Sequence, residues 1–262
     1  MANDSGTANE DAHRLVGAER VLAILAELAR HPGGVTLEEM ARAAASPKPT
    51  VHRALASLSR FGFAAKNSRG HYVLGDEFLR LAFAHHEARP DHVRVGPLLH
   101  SLAERYGETA HYAILDGAEV VYRSKADPPF GAVKLTSTVG GRNPAHCTAV
   151  GKMLLAHALP DDAAVAAWAD GRTMERRTAN TLTTARALAA ELRATRERGY
   201  AADDQENEAG IVCVAVPAYL TSPTVPSGAV SVSAPAYRTP LDRLVRQVPA
   251  IRAVVAVREA AR

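Results

Sequence analysis

Between Val16 and Leu74 the chain carries three short helical patterns, each closed by its own stop signal, and then two extended runs around a tight tip. Val16, Val21, Ile24, Leu25 and Leu28 recur at three- and four-residue spacing, the period of a helix with one buried stripe. His31-Pro32-Gly33-Gly34 breaks it. Thr36 and Glu39 stand three apart, the spacing at which each side chain satisfies a backbone N–H of the other's turn, and Leu37, Met40, Ala41 and Ala44 follow as an apolar stripe. After a break at Ala45-Ser46, Ser46 suits an N-cap and Pro47 the first helical position, where a missing N–H costs nothing. Val51, Leu55 and Leu58 make the third stripe, and Gly62 closes it. The runs Phe63–Lys66 and His71–Leu74 flank Asn67-Ser68-Arg69-Gly70 and read as a hairpin. Three short helices and a hairpin in this order describe a winged helix-turn-helix.

In such a unit the helix after the tight turn enters the DNA major groove. Its apolar stripe leaves Lys48, Thr50, His52, Arg53 and Ser57 facing elsewhere, with Ser46 at its start and Lys66 and Arg69 at the hairpin. These side chains suit phosphates and base edges. From Met40 to Gly75 there are Arg42, Lys48, Arg53, Arg60, Lys66 and Arg69 and not one Asp or Glu, in a chain that is 23% charged. That is a local electrostatic footprint for double-stranded DNA, whereas the overall net charge of +3 decides nothing.

The remainder has a different rhythm. Residues 1–13 read as disordered, 14–75 as the DNA-binding unit, 76–89 as a linking helix and 90–262 as a second domain. That domain opens on a helix from Asp91 to Tyr106. Extended runs follow at Thr109–Leu115, Val120–Ser124, Ala132–Thr136, Ile211–Tyr219 and Gly228–Ala234, with helices at about 147–158, 161–169, 184–198 and 239–259. The Leu115-Asp116-Gly117-Ala118 turn argues for antiparallel pairing, so the fold class is α+β, the second domain being an α/β unit with a largely antiparallel sheet. Two cysteines without CxxC spacing exclude a disulfide scaffold. No long apolar run and no leader pattern are present, which predicts a cytoplasmic protein with no membrane partner.

Several stretches resemble the IclR family of bacterial transcription regulators. "TLEEMARAAASPKPTVHRALASLSRFGFA" with "GHYVLG" is similar to its N-terminal domain. "YGETAHYAILDGAEVVYRSK", "VGGRNPAHCTAVGKMLLA", "RERGYAADDQENEAGIVCVAVPAY" and "AVSVSAPAYR" are similar, in order, to four parts of its C-terminal domain. Ala45 and Ser46 stand where the family often has Gly and an aliphatic residue, and Pro49 where it often has Ser. The resemblance implies a GAF-like effector-binding domain without a cofactor, and a homodimer or homotetramer on a palindromic operator. It implies control by a small organic or aromatic acid, with repression favoured over activation.

Carried over by motif, the effector pocket comprises Ala149, Val150, Asp203, Ile211, Cys213, Ser231 and Ser233. Physical reasoning reaches part of this set. A helix beginning near Thr148 presents free N–H groups to a carboxylate. Ser231 and Ser233 alternate along a strand and share a face. Asp203 can accept a ligand hydroxyl or repel a second carboxylate, and Cys213 serves as a small apolar lining group. Two rivals use His146 and Cys147: a zinc site with His111 and Cys213, and an enzyme with Cys147 as nucleophile. Neither has a recognisable spacing. A protein-interaction module is a third.

Overall fold

The computed structural model describes residues 17–87, 90–128 and 135–259, and the side chains of these except 85–87, 90–92 and 257–259. The predicted disordered segment 1–13 lies outside them. The chain divides into two compact units after Glu87.

The first unit holds α1 (Gly17–Leu28), α2 (Leu37–Ala43), α3 (Lys48–Arg60), the hairpin β1 (Ala64–Lys66) and β2 (Tyr72–Leu74), and α4 (Asp76–Glu87). Ile24, Leu28, Met40, Val51, Leu55 and Tyr72 are buried together, so the three helical stripes and the wing share one small core. The predicted capping box is formed: Glu39 N–H donates to Thr36 Oγ1 at 3.2 Å and Thr36 N–H to Glu39 Oε2 at 2.9 Å. Ser46 is not the N-cap of α3. Pro47 takes that position, and the Ser46 hydroxyl turns back to Ala44 O at 2.9 Å. The cause lies one residue earlier, because Ala45 has φ +44° and its left-handed turn carries Ser46 away from the helix start.

The second unit begins with α5 (Pro90–Tyr106). Its six-stranded sheet comprises β3 (Thr109–Asp116), β4 (Glu119–Ala126), β5 (Arg142–Pro144), β6 (Ala201–Asp204), β7 (Ile211–Ala218) and β8 (Gly228–Pro235), in the order β5-β4-β3-β8-β7-β6. Every pairing is antiparallel. A 3-10 turn (Ala145–Cys147) leads into α6 (Ala149–Ala158), followed by α7 (Asp162–Ala169), α8 (Ala185–Arg198) and α9 (Leu241–Glu259).

Alternation along the strands explains why both sheet faces are covered. Val212, Val214 and Val216 of β7, with Val230 and Val232 of β8, pack on α5 and α9. Ala215, Ala229, Val120 and Tyr122 face α6 and α8 instead. The strand expected at Ala132–Thr136 falls mostly on residues outside the described ones; Leu135 and Thr136 themselves are not in a strand. The sheet edges β5 and β6 were not expected. Among the described residues no helix is long and apolar enough to cross a membrane.

Candidate functional site

Two places in the chain gather side chains capable of recognition, one on each unit. On the first, the buried stripe of α3 (Val51, Ala54, Leu55, Leu58) turns the rest of the helix outward. Lys48, His52 and Arg53 are exposed there, and Ser46, Thr50 and Ser57 are half-buried beside them. Lys48 meets Glu38 of α2 at 3.3 Å with both ends in solvent. Such an exposed pair is worth little. Lys66 and Arg69 are exposed on the hairpin, Lys66 lying 4.9 Å from the centre of the Tyr72 ring. Asn67 organises the tip, its Oδ1 accepting the N–H groups of Arg69 and His71, each at 3.0 Å.

On the second unit, β6, β7, β8 and β3 lay two polar rows across one sheet face. Asp203 pairs with Cys213, and Cys213 with Ser233; one step along, Ser231 pairs with His111. Above this face α6 begins. Thr148 caps it, its Oγ1 accepting the Gly151 N–H at 3.1 Å. Gly151 lets the preceding turn close: a Cβ there would fall 2.2 Å from Ala145 O. Between the rows and the helix start lies a cavity of about 210 Å³. All seven residues of the expected pocket line it: Ala149, Val150, Asp203, Ile211, Cys213, Ser231 and Ser233.

Tyr122, His111 and Arg177 also line it and were not among those seven. Tyr122 follows from the alternation of β4, which places it with Val120 on the α6 side. Arg177 sits in the irregular segment after α7, where no periodicity marks it. That segment holds the loop after β6: Arg177 Nε donates to Asn207 O at 2.9 Å, and the Thr178 and Thr181 hydroxyls donate to Gln205 O and Glu206 O at 2.7 and 2.6 Å.

Burial sets the charge states. Desolvation pushes the His111 imidazole down to about 3, so it is neutral, with Nε2 2.7 Å from the Ser137 hydroxyl. The same effect lifts the Tyr122 phenol to about 12. Asp203 is 3% exposed; its carboxyl is pushed up to about 7 by burial, against the pull of the Glu206 N–H that Oδ1 accepts at 2.7 Å. Behind it, buried Lys152 of α6 is ion-paired with Glu206 and lies 3.6 Å from Glu191 of α8.

His146 and Cys147, the residues shared by the two rival readings, sit in other surroundings. Burial raises the Cys147 thiol to about 12, with Asp203 adding to the shift, so it holds its proton at neutral pH and is a poor nucleophile. His146 turns Nε2 to Glu175 O at 3.1 Å. Among the described residues no three His, Cys, Asp or Glu side chains gather in a group able to hold a metal.

Comparison with known proteins agrees with this division. The profile of the IclR helix-turn-helix domain matches residues 17–68, and that of the bacterial transcriptional regulator IclR C-terminal region matches residues 92–257. The HTH-type transcriptional regulator BhcR of Paracoccus denitrificans is 34% identical over 240 residues, covering 91% of this chain and 84% of the relative. The crystal structure of the Thermotoga maritima IclR superposes with a TM-score of 0.76 at 26% identity, covering 92% of this chain and 96% of that one. An IclR homolog from Microbacterium hydrocarbonoxydans, complexed with 4-hydroxybenzoate, shares the fold with a TM-score of 0.72 at 24% identity, covering 90% and 99% of the two chains.

Proposed function

As this chain belongs to the IclR family of DNA-binding transcriptional regulators, a non-enzymatic family with an effector-binding domain, we propose that it represses transcription as a homodimer on a palindromic operator until a small organic acid releases it. DNA binding through the helix-turn-helix and effector binding through the C-terminal domain are family properties.

On the DNA side, Arg53 and His52 read bases from α3, while Lys48, Thr50, Ser46, Ser57, Lys66 and Arg69 hold phosphates. One recognition helix offers few contacts, and a dimer doubles them on two half-sites. Dimerisation is supported by α4, where Phe78, Leu79, Leu81 and Phe83 are exposed, Phe83 by 62%. A run of exposed apolar side chains on one helix marks an association surface. In this reading α4 links the units and carries the effector signal between them. Pairing of dimers into a homotetramer is the further step. Work on an operator places the protein in the cytoplasm.

The observation that carries the effector reading is the convergence of Ala149, Val150, Asp203, Ile211, Cys213, Ser231 and Ser233 on one cavity. With Gly151 N–H capped by Thr148, the amides of Ala149 and Val150 are left at the first turn for a ligand oxygen. A carboxylate there has Ser231 and Ser233 as hydroxyl partners, and the Tyr122 ring and Ile211 as apolar walls. The 4-hydroxybenzoate bound by the Microbacterium homolog is a compound of this kind. Fluorescence anisotropy on DNA from upstream of the gene tests the reading. Small aromatic and aliphatic carboxylates should release the protein, and Ser231→Ala with Ser233→Ala should blunt the response with DNA affinity intact. Release by neutral compounds alone sinks the carboxylate assignment.

A further inference from the structure

If the effector is a carboxylate, the cavity presents it with an electrostatic conflict. Asp203 lines the cavity, is 3% exposed and has no ion-pair partner among the described residues. A second negative charge brought into the same buried space is opposed by Asp203 unless a cation neutralises one of them.

The cations nearby are committed or screened. Lys152, behind Asp203 on α6, is paired with Glu206 and approaches Glu191. Lys125 on β4 pairs with Asp127 at 3.1 Å and donates to Leu135 O and Ser137 O. Arg142 on β5 binds Asp116 and Glu119 at 2.6 and 3.1 Å. Arg177 is exposed at the rim and turned to Asn207 O, with exposed Glu208 on the same rim. The remaining titratable neighbours carry no charge at neutral pH: His111 on β3 is held neutral, and Tyr122 on β4, Cys213 on β7 and Cys147 keep their protons.

Resting on the carboxylate reading above, we propose that effector binding takes up one proton at Asp203, so that the site recognises an anion together with a proton. The geometry of the carboxyl fits this. The carboxyl accepts the N–H groups of Glu206, at Oδ1, and of Asn207, and the oxygen that takes the proton uses it to donate to the ligand oxygen. The proton comes from solvent, and no bond other than this O–H forms. The resting carboxyl, pushed up to about 7 by burial, takes that proton at little cost near neutrality. The protein is then most responsive in mildly acidic cytoplasm and progressively insensitive as the medium turns alkaline.

The test is isothermal titration calorimetry on the full chain with a panel of small monocarboxylates, 4-hydroxybenzoate among them, from pH 6 to pH 8.5. Each ligand carboxyl stays ionised throughout. Expected are a Kd flat below pH 7 and rising about tenfold per pH unit above it, with uptake of about one proton at pH 8 from paired buffers of different ionisation enthalpy. Asp203→Asn should bind as tightly at pH 8 as at pH 6 and take up no proton. A wild-type Kd that is the same at pH 6 and pH 8.5, or a slope that survives in Asp203→Asn, overturns the proton step and leaves the carboxylate reading standing. Failure of the whole panel to bind at any pH overturns both.

Discussion

The two units solve recognition in opposite ways. The first keeps a small core of apolar side chains and displays Lys48, His52, Arg53, Lys66 and Arg69 to solvent, where charge is cheap to hold. The second buries the polar groups that line its cavity: Asp203, Ser231, Ser233 and His111 are all 4% exposed or less. Exposed groups contribute to binding with little claim on stability. Buried polar groups cost desolvation in every molecule, bound or free. Substitutions should therefore separate function from folding in the first unit and entangle them in the second.

The largest effect expected lies in the buried network of the second unit. Lys152 is 1% exposed and its ammonium is held between Glu206 and Glu191. Lys152→Ala removes one partner and leaves an uncompensated buried carboxylate, which typically costs about 3–5 kcal/mol. Lys152→Met combined with Glu206→Leu removes both charges and should recover most of that. The contrast is Lys48→Ala, whose partner Glu38 is exposed and whose loss should stay within about 1 kcal/mol. Urea unfolding of the three variants checks the ranking, and equal losses for Lys152→Ala and Lys48→Ala would break the comparison.

Asp203 gives the next largest effect, with an unusual sign. Its folded pKa of about 7 lies above the ordinary 3.8, because burial disfavours the carboxylate. Between about pH 4 and pH 7 the folded chain therefore binds the extra proton, so this group makes stability fall as pH rises through that window and leaves it level above. Asp203→Asn abolishes the fall. The variant should gain on the wild type by up to a few kcal/mol at pH 8 and by nothing comparable at pH 4. Thermal unfolding at the two pH values measures it, and a difference independent of pH shows that Asp203 is ionised at ordinary cost.

What was legible in the sequence follows the same division. The first unit's helices were readable because their signals are local: the Thr36–Glu39 box and the breaker at 31–34 act within one turn. The exception, Ser46 as a cap, failed because the strained backbone at Ala45 cannot be read from an alanine. In the second unit β5 and β6 escaped notice. They are edge strands of three and four residues, Arg-Asn-Pro and Ala-Ala-Asp-Asp, too short and too polar to show a period. Ser231 and Ser233 were legible as one face of a strand. That Asp203 and Ala149 meet across that face depends on sheet order and on the turn before α6, which only resemblance supplied in advance.

On the first unit the expected losses are in binding rather than stability. Arg53 is exposed on α3 and makes no ion pair among the described residues. Arg53→Ala should weaken operator binding by about 1–3 kcal/mol, roughly fivefold to 150-fold, if it reads a base. Lys66→Ala should instead weaken all DNA sequences alike and flatten the salt dependence. Both should unfold within about 0.5 kcal/mol of the wild type. Anisotropy with operator and scrambled duplexes at several salt concentrations tells these roles apart. A uniform loss for Arg53→Ala would move it to the phosphate-contacting set.

The smallest effect concerns the turn that joins the two halves of the DNA-reading motif. Ala45 sits at φ +44°, in the left-handed region where a Cβ crowds the following carbonyl at roughly 1–2 kcal/mol. Glycine removes that strain but gives part of the gain back through the greater freedom of the unfolded chain. Ala45→Gly should therefore stabilise by something under about 1 kcal/mol, and Ala45→Val should destabilise by more than that. The Ser46 hydroxyl bonded to Ala44 O holds the same turn from the other side. The position of α3 should thus survive Ala45→Gly, and operator affinity should change less than twofold. A large loss of affinity with a gain in stability would mean that the strained turn aims the recognition helix. The first unit would then resemble the second after all, holding function in a conformation that the fold keeps at a cost.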